Sequence, residues 1–271
     1  MRKLLRSPVV KVVARWANKE PFIWDGVYES FDQVPVAGEG FASEAWLADM
    51  ERYTRTAVTA LHSEGAAIPA NVPQYHALLA MLVSMVPVIN RPVRVLDFGG
   101  GMGIGAANVT RCRAAGIELD YLIVDNEESC ERGRRLLRDS PRLLGEFSSV
   151  TFMAELPRDV ESVDVIVLSG VLQFVEEYEK LLSDLAAFRP SHWFFGFLPA
   201  GDIPTFASAQ LNVPGSVLPA WFFNVRELVQ KVETLGYQLI FKSEHERVFD
   251  MSNFPLTHQL PRQCNLLFRR Q

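Results

Sequence analysis

From Pro92 to the end of the chain, short apolar runs alternate with helical patterns, and that alternation leaves few folds open. It is the mark of a mostly parallel sheet covered by helices on both faces. "VRVLDF" reads as strand one, and "GIGAANVTRCRAAG" as a helix closed by Gly116. "LDYLIVD" is strand two, followed by the helix "EESCERGRRLLRD", with its acids at the positive N-terminal end. "SVTFMA" and the nearly all-apolar "VDVIVLSG" are strands three and four, "EEYEKLLSDLAAF" a helix, and "HWFFGFL" strand five. "NVRELVQKVETLG" is a helix with Asn224 as N-cap, Glu227 completing a capping box and Gly236 as terminator. "YQLIFKS" and "CNLLFRR" close the chain as two strands. The expected fold is an α/β, Rossmann-like, seven-stranded sheet in the order 3-2-1-4-5-7-6, its last strand antiparallel, with an N-terminal helical cap. Ligands bind such a sheet at the C-terminal end of strand one.

Two stretches fall outside the rhythm. Pro199 to Ala220 has four prolines, two glycines and little periodicity, and a connection of that length suggests a cover over a ligand. Residues 21–90 look helical, with "SEAWLADMERYTRTAVTALHSE", capped by Ser43, and "PQYHALLAMLVSM"; these two helices read as a cap or lid over the cofactor end. The chain thus divides into a basic arm (1–20), a helical cap (21–90) and a cofactor-binding domain (91–271).

Bulk properties narrow the function. A net charge of −5 argues against a general nucleic-acid binder. Three scattered cysteines without C-x-x-C spacing offer no zinc site or disulfide framework, and no metal is expected. No apolar stretch reaches the roughly 18 residues of a membrane span, so a cytoplasmic location is the default. The arm carries six cations among its valines and leucines. Two readings stand for it: a contact with an anionic membrane surface at the inner face of the membrane, or an arm packed on the domain. Oligomeric state is open, a homo-oligomer included.

The glycine turn "DFGGGMGIG" sits where the ligand should bind. A phosphate loop is excluded because no lysine follows the glycines. Gly101 to Ala106 formally fits the dinucleotide pattern G-x-G-x-x-[GA], but Asp97 would set a like charge against a pyrophosphate. The same aspartate suits a cationic ligand, and glycines let the backbone approach it closely. Asp125 ends strand two, 28 residues after Asp97, where a carboxylate accepts hydrogen bonds from ribose hydroxyls in either kind of site.

"LDFGGGMG", with Asp97-x-Gly99-x-Gly101-x-Gly103, resembles the first motif of S-adenosylmethionine-dependent methyltransferases with a Rossmann-like sheet. The resemblance implies S-adenosyl-L-methionine as cofactor, held by Asp97, Gly99, Gly100, Gly101, Gly103, Asp125 and Asn126. "LSGVLQF" at the end of strand four, with Ser169, Gly170 and Val171, would form a wall beside its methionine moiety. Further segments resemble a family of predicted methyltransferases encoded among bacterial surface-polysaccharide genes: "IWDGVYESFDQV", "GEGFAS", "LDFGG", "LSGVLQF", "PAWFF" and "GYQL", over about residues 22–270. "GFLPAGD" departs from the Arg-Thr-Pro-like segment of that family. The family implies O-methylation of a sugar or another small-molecule acceptor.

Candidates for the chemistry follow from residue type. His76, beside Tyr75 in the second cap helix, is a general-base candidate, with His62, His245 and His258 as others. His192 starts a strand at the wrong end of the sheet. Trp24, Tyr28, Asp202, Gln210 and Trp221 are candidate substrate contacts. Two alternatives remain: an NAD(P)-binding oxidoreductase, and an inactive fold kept for binding or interaction.

Overall fold

The computed structural model describes residues 22–61, 74–88, 90–138 and 149–271. The basic arm, His62 and the start of the second cap helix's segment lie outside them. The strands are β1 (Trp24–Tyr28), β2 (Val93–Phe98), β3 (Leu119–Val124), β4 (Ser149–Met153), β5 (Val165–Ser169), β6 (His192–Leu198), β7 (Ala200–Gly201), β8 (Phe206–Gln210), β9 (Leu218–Asn224), β10 (Tyr237–Glu244) and β11 (Cys264–Arg270). The α-helices are α1 (Glu44–Leu61), α2 (Gln74–Met85), α3 (Ile104–Cys112), α4 (Glu127–Arg138), α5 (Tyr178–Ala186) and α6 (Val225–Thr234).

Seven strands form one sheet in the order β10-β11-β6-β5-β2-β3-β4. β2 runs parallel to β3 and β5, and β5 parallel to β6, while β11 lies antiparallel between β6 and β10. Read from the other edge, this is the order expected from the alternation of elements. Both faces are covered. Leu96, Ile166, Leu168, Trp193 and Phe195 face α5 and α6, through Leu182, Leu185, Leu228 and Val232. Val95, Tyr121, Ile123, Val165, Val167 and Phe194 face the opposite way, toward α2 and α3. Apolar burial on both sides explains why β5 reads as a continuous apolar run rather than an alternating one.

Asn224 caps α6 as expected, its side chain accepting from the N–H groups of Arg226 and Glu227. The two helices of the 21–90 region also form, and Ser43 Oγ accepts from Trp46 N at 3.4 Å. The placement of α2 differs from that of a lid. In α2, Leu79, Ala80, Leu82 and Val83 are buried against the face of the main sheet. A helix so apolar finds more buried surface on a sheet face than over a wet ligand site. α1 lies nearer the site, with Leu47 packed on Met102 of the glycine turn and on Leu136.

Two further expectations are corrected. Residues 22–43 hold no α-helix: Trp24–Tyr28 is a strand, paired antiparallel with β8, and Phe31–Gln33 and Gly40–Ala42 are single 3-10 turns. The segment from Pro199 to Ala220 is not an irregular cover, because it contains β7, β8 and the start of β9. These join β1 in a second, four-stranded sheet, ordered β1-β8-β9-β7. All five residues of β8, "FASAQ", are buried. Burial on both faces removes the period of two by which a strand is recognised.

Candidate functional site

β2 delivers Asp97 to the end of the sheet, and the chain turns at once through Gly99, Gly100 and Gly101 toward α3. Gly99 donates its N–H to Val124 O at 2.7 Å, tying the turn to the end of β3. A Cβ at Gly99 would stand 2.3 Å from Val171 Cγ2, and φ there is +74°. The turn therefore fits against the residue after β5 only without a side chain. Gly101 is different. Its φ is +59°, yet a Cβ there would meet no atom within 4 Å, so this glycine borders open space.

Asp125, at the end of β3, holds the turn from the other side. Its Oδ2 accepts from Gly101 N at 2.8 Å, and its Oδ1 accepts from the backbone and side-chain N–H groups of Asn126 at 2.8 and 2.7 Å. Burial pushes its carboxyl above the ordinary value, against the pull of the hydrogen bonds from Gly101 and Asn126. Asn126 in turn accepts from Ser129 N at 2.9 Å and caps α4.

Asp97 lies beneath the turn rather than on its open face. It is 4% exposed, and a Cβ at Gly100 would fall 2.8 Å from its Cγ. Tyr121 donates its hydroxyl to Asp97 Oδ2 at 2.9 Å. Burial pushes Asp97 up to about 7; the Tyr121 hydrogen bond opposes the rise and the Asp125 charge adds to it.

His76 joins the same buried layer. The side-chain amide of Asn108 lies 2.9 Å from His76 Nδ1. With that amide donating, the ring proton sits on Nε2. A Cβ at Gly105 would lie 3.1 Å from Asp97 Oδ2, 3.5 Å from Tyr121 Oη and 3.8 Å from His76 Nε2. Three polar groups thus converge under the first turn of α3. Burial pushes His76 down to about 4. The expectation that His76 looks into the cofactor end as a base is corrected: it is sealed between α2 and α3, because α2 packs on the sheet. Tyr75 lies in α2, and its side chain is outside the described residues.

On the other side of β2, β5 ends at Ser169 and the chain turns through Gly170 and Val171 into a one-turn helix, Leu172–Phe174. Gly170 N donates to Gly196 O at 2.8 Å. Ser169 Oγ and Gln173 Oε1 are buried without a hydrogen-bond partner among the described residues. Phe174 meets Phe41 edge-on at 4.7 Å, which brings the "GEGFAS" segment to this turn.

The five candidate substrate contacts do not form one cluster: Trp24 pairs with Gln210, Tyr28 and Trp221 pack on a second group of apolar residues, and Asp202 stands apart. Trp24 donates its Nε1–H to Gln210 Oε1 at 3.1 Å, and its ring lies edge-on to Phe222 and Phe249. Both residues are buried in the small sheet and satisfy each other. Tyr28 is half-buried beside the cluster of Val34, Ala207 and Leu211. Asp202 is exposed, 3.5 Å from Arg226. Trp221 donates to Glu176 O at 3.3 Å and packs near Phe31 and Tyr178, so it alone is bonded to the segment that follows β5. His245 packs on Phe197 and His258 on Phe206. His192 sits at the start of β6, as expected.

Sequence reasoning missed Tyr121, Asn108 and Phe197. Phe197 has φ +52°, and its N–H donates to Asn265 Oδ1 at 3.1 Å. A residue that is not glycine is strained in this conformation, and the Phe197 ring lies against the turn after β5, where a Cβ at Gly170 would stand 3.5 Å from Phe197 Cδ1. In the sequence all three are ordinary members of a strand or helix, and only their side-chain partners set them apart.

No family model matches the chain, and no curated protein matches it. Solved structures do. The [4+2]-cyclase SpnF is 13% identical over 82% of this chain and 95% of its own, with a TM-score of 0.50. The fold is the Rossmann-like one. The 1,6-didemethyltoxoflavin-N1-methyltransferase of Burkholderia thailandensis, with bound 1,6-didemethyltoxoflavin and S-adenosylhomocysteine, is 15% identical over 87% and 94%, with a TM-score of 0.49. The CcbJ methyltransferase from Streptomyces caelestis is 14% identical over 80% and 97%, with a TM-score of 0.47. At such identities the likeness concerns the fold alone.

Proposed function

We propose that the chain is an S-adenosylmethionine-dependent methyltransferase acting on a sugar or other small-molecule hydroxyl, in surface-polysaccharide or related biosynthesis. One observation carries this reading: the glycine turn borders open space at Gly101 between two carboxylates, Asp97 below and Asp125 beside. Among the described residues no lysine or arginine is hydrogen-bonded to the turn, to Asp97 or to Asp125. A pyrophosphate there would meet charge of its own sign, whereas a ligand bearing a sulfonium and an ammonium is favoured. The residues present therefore suit S-adenosylmethionine. Gly101 admits the methionine portion to the backbone, and Asp125 Oδ2 faces the turn as an acceptor for ribose hydroxyls.

When bound, that cofactor supplies a carbon already activated for in-line displacement. The chain's own work is then alignment and exclusion of water. Val171 closes the turn from the β5 side, and Leu47 covers Met102 from outside. The acceptor side is bounded by the one-turn helix Leu172–Phe174 and by Trp221. With His76 sealed away, the general base for a sugar hydroxyl is to be sought among groups outside that layer. We place the protein in the cytoplasm. Among the described residues no helix is long and apolar enough to cross a membrane; contact of residues 1–20 with the inner membrane face belongs to this proposal, as does a homo-oligomer.

Isothermal titration calorimetry with S-adenosylhomocysteine and with NADH tests the reading. Binding of the first, lost in Asp125→Ala, is the expected result. Binding of NADH alone would sink it in favour of a dinucleotide enzyme. A fold shared with a protein named as a cyclase makes this direct test necessary, because fold does not fix reaction.

A further inference from the structure

Gln173 is 4% exposed, on the one-turn helix that follows β5, and its Oε1 has no hydrogen-bond partner among the described residues. Ser169 Oγ, four residues earlier at the end of the same strand, is likewise buried and unpartnered. A buried carbonyl without a donor is costly, and each such group in a folded protein calls for an explanation, a binding role being one.

The place of this turn says what that is. Val171 touches the glycine turn at Gly99, so one end of the segment borders the cofactor half of the crevice. Phe174 meets Phe41, and Trp221 of the small sheet bonds to Glu176 just beyond, so the other end borders the acceptor half. Along the chain Gln173 stands between these two contacts, on the one-turn helix Leu172–Phe174. An apolar side chain would fill the position without an orphaned oxygen, as Leu172 does beside it at 0% exposure.

We propose that Gln173 is a specificity-determining residue whose side-chain carbonyl accepts a hydrogen bond from an O–H or N–H of the bound acceptor, next to the atom that receives the methyl group. The site selects a hydroxyl- or amine-bearing acceptor over an apolar one, because a ligand without a donor leaves Oε1 buried and unpaired. Discrimination of this kind is large, since the loss includes the stranded polar group. This inference rests on the methyl-donor reading and deepens it.

The test uses two probes that need no knowledge of the acceptor. S-adenosylhomocysteine places no hydrogen-bond donor at the reacting centre, whereas sinefungin carries an amine-bearing carbon in place of the methylated sulfur. Affinities for both are measured by calorimetry for the unaltered protein, Gln173→Leu and Gln173→Glu, with thermal melts alongside. Gln173→Leu is expected to bind S-adenosylhomocysteine unchanged and sinefungin about tenfold more weakly. Its melting temperature should be equal or higher, because an orphaned carbonyl has gone. Gln173→Glu, which keeps the accepting oxygen, should retain sinefungin binding.

Equal weakening toward both probes would overturn the proposal by assigning Gln173 to the cofactor's own amino group or to the frame of the turn. An unchanged sinefungin affinity in Gln173→Leu would overturn it outright while leaving the methyl-donor reading intact. Failure of the unaltered protein to bind either probe would instead remove the reading beneath it.

Discussion

Asp97 is buried beneath the glycine turn with one hydrogen-bond donor, the Tyr121 hydroxyl, and a second carboxylate nearby. A charge so placed is unfavourable until a cation arrives above the turn. Held at about 7, the group is divided between its protonated and ionised forms near neutrality. Binding of a cationic methyl donor should therefore release protons around pH 7. Calorimetry in two buffers of different ionisation enthalpy measures this directly, and Asp97→Asn should abolish the buffer dependence. The two outer glycines of the turn separate ligand binding from stability. Gly99→Ala meets Val171 at 2.3 Å in a left-handed backbone and should cost about 2 kcal/mol or more, read by urea unfolding. Gly101→Ala meets nothing and should cost only about 1 kcal/mol. It should nonetheless weaken S-adenosylhomocysteine binding by about tenfold or more, since its methyl group enters the ligand's space.

At the scale of elements, the large sheet was legible and the small one was not. Each strand of the large sheet is an apolar run bounded by a glycine or a change of period, and helices of the opposite pattern lie between most of them. β1 and β8 offer no such signal. β1 is five residues broken by Gly26 with a register shift, and β8 is buried on both faces. Their pairing spans the chain, from Trp24 to Gln210, and no local pattern encodes it. The site was legible to the same extent: the backbone turn and Asp125 follow from spacing, whereas the Asp97–Tyr121 and His76–Asn108 pairs depend on which helix covers which face. The Trp24–Gln210 hydrogen bond joins β1 and β8, two of the four unforeseen strands, and a double-mutant cycle tests it. Gln210→Leu alone leaves the indole N–H stranded and should cost about 1–3 kcal/mol. Paired with Trp24→Phe, the further loss should be smaller than the sum of the two single changes.

For the whole molecule, two of the buried titrating groups, Asp97 and His76, oppose each other. Asp97 is raised from 3.8 to about 7, so its contribution to stability is complete below pH 3.8 and is lost as the pH rises through 7. His76 is lowered from 6.5 to about 4, so its contribution is complete above 6.5 and is lost as the pH falls through 4. Between about pH 4 and 6.5 the two slopes have opposite sign and similar size, so this pair adds little net slope to stability. Single substitutions should uncover the hidden slopes. Asp97→Asn is expected to leave stability rising with pH across that window. His76→Gln should leave it falling, each by up to about 1.4 kcal/mol per pH unit. Denaturant midpoints at pH 4.5, 5.5 and 6.5 decide the matter; level profiles in both variants would remove the assignment.

The pairing of β1 with β8 also bears on how the polypeptide is made. Trp24 leaves the ribosome well before the strand it must join, which ends at Gln210, more than 180 residues later. Until then its indole and the neighbouring apolar residues have no partner surface, while β2, β3 and β5 can already assemble. Synthesis therefore passes through a stage in which part of the large sheet can exist and the small sheet cannot. In that interval the nascent segment around Trp24 is a target for chaperones, and a pause in translation before Gln210 would lengthen its exposure.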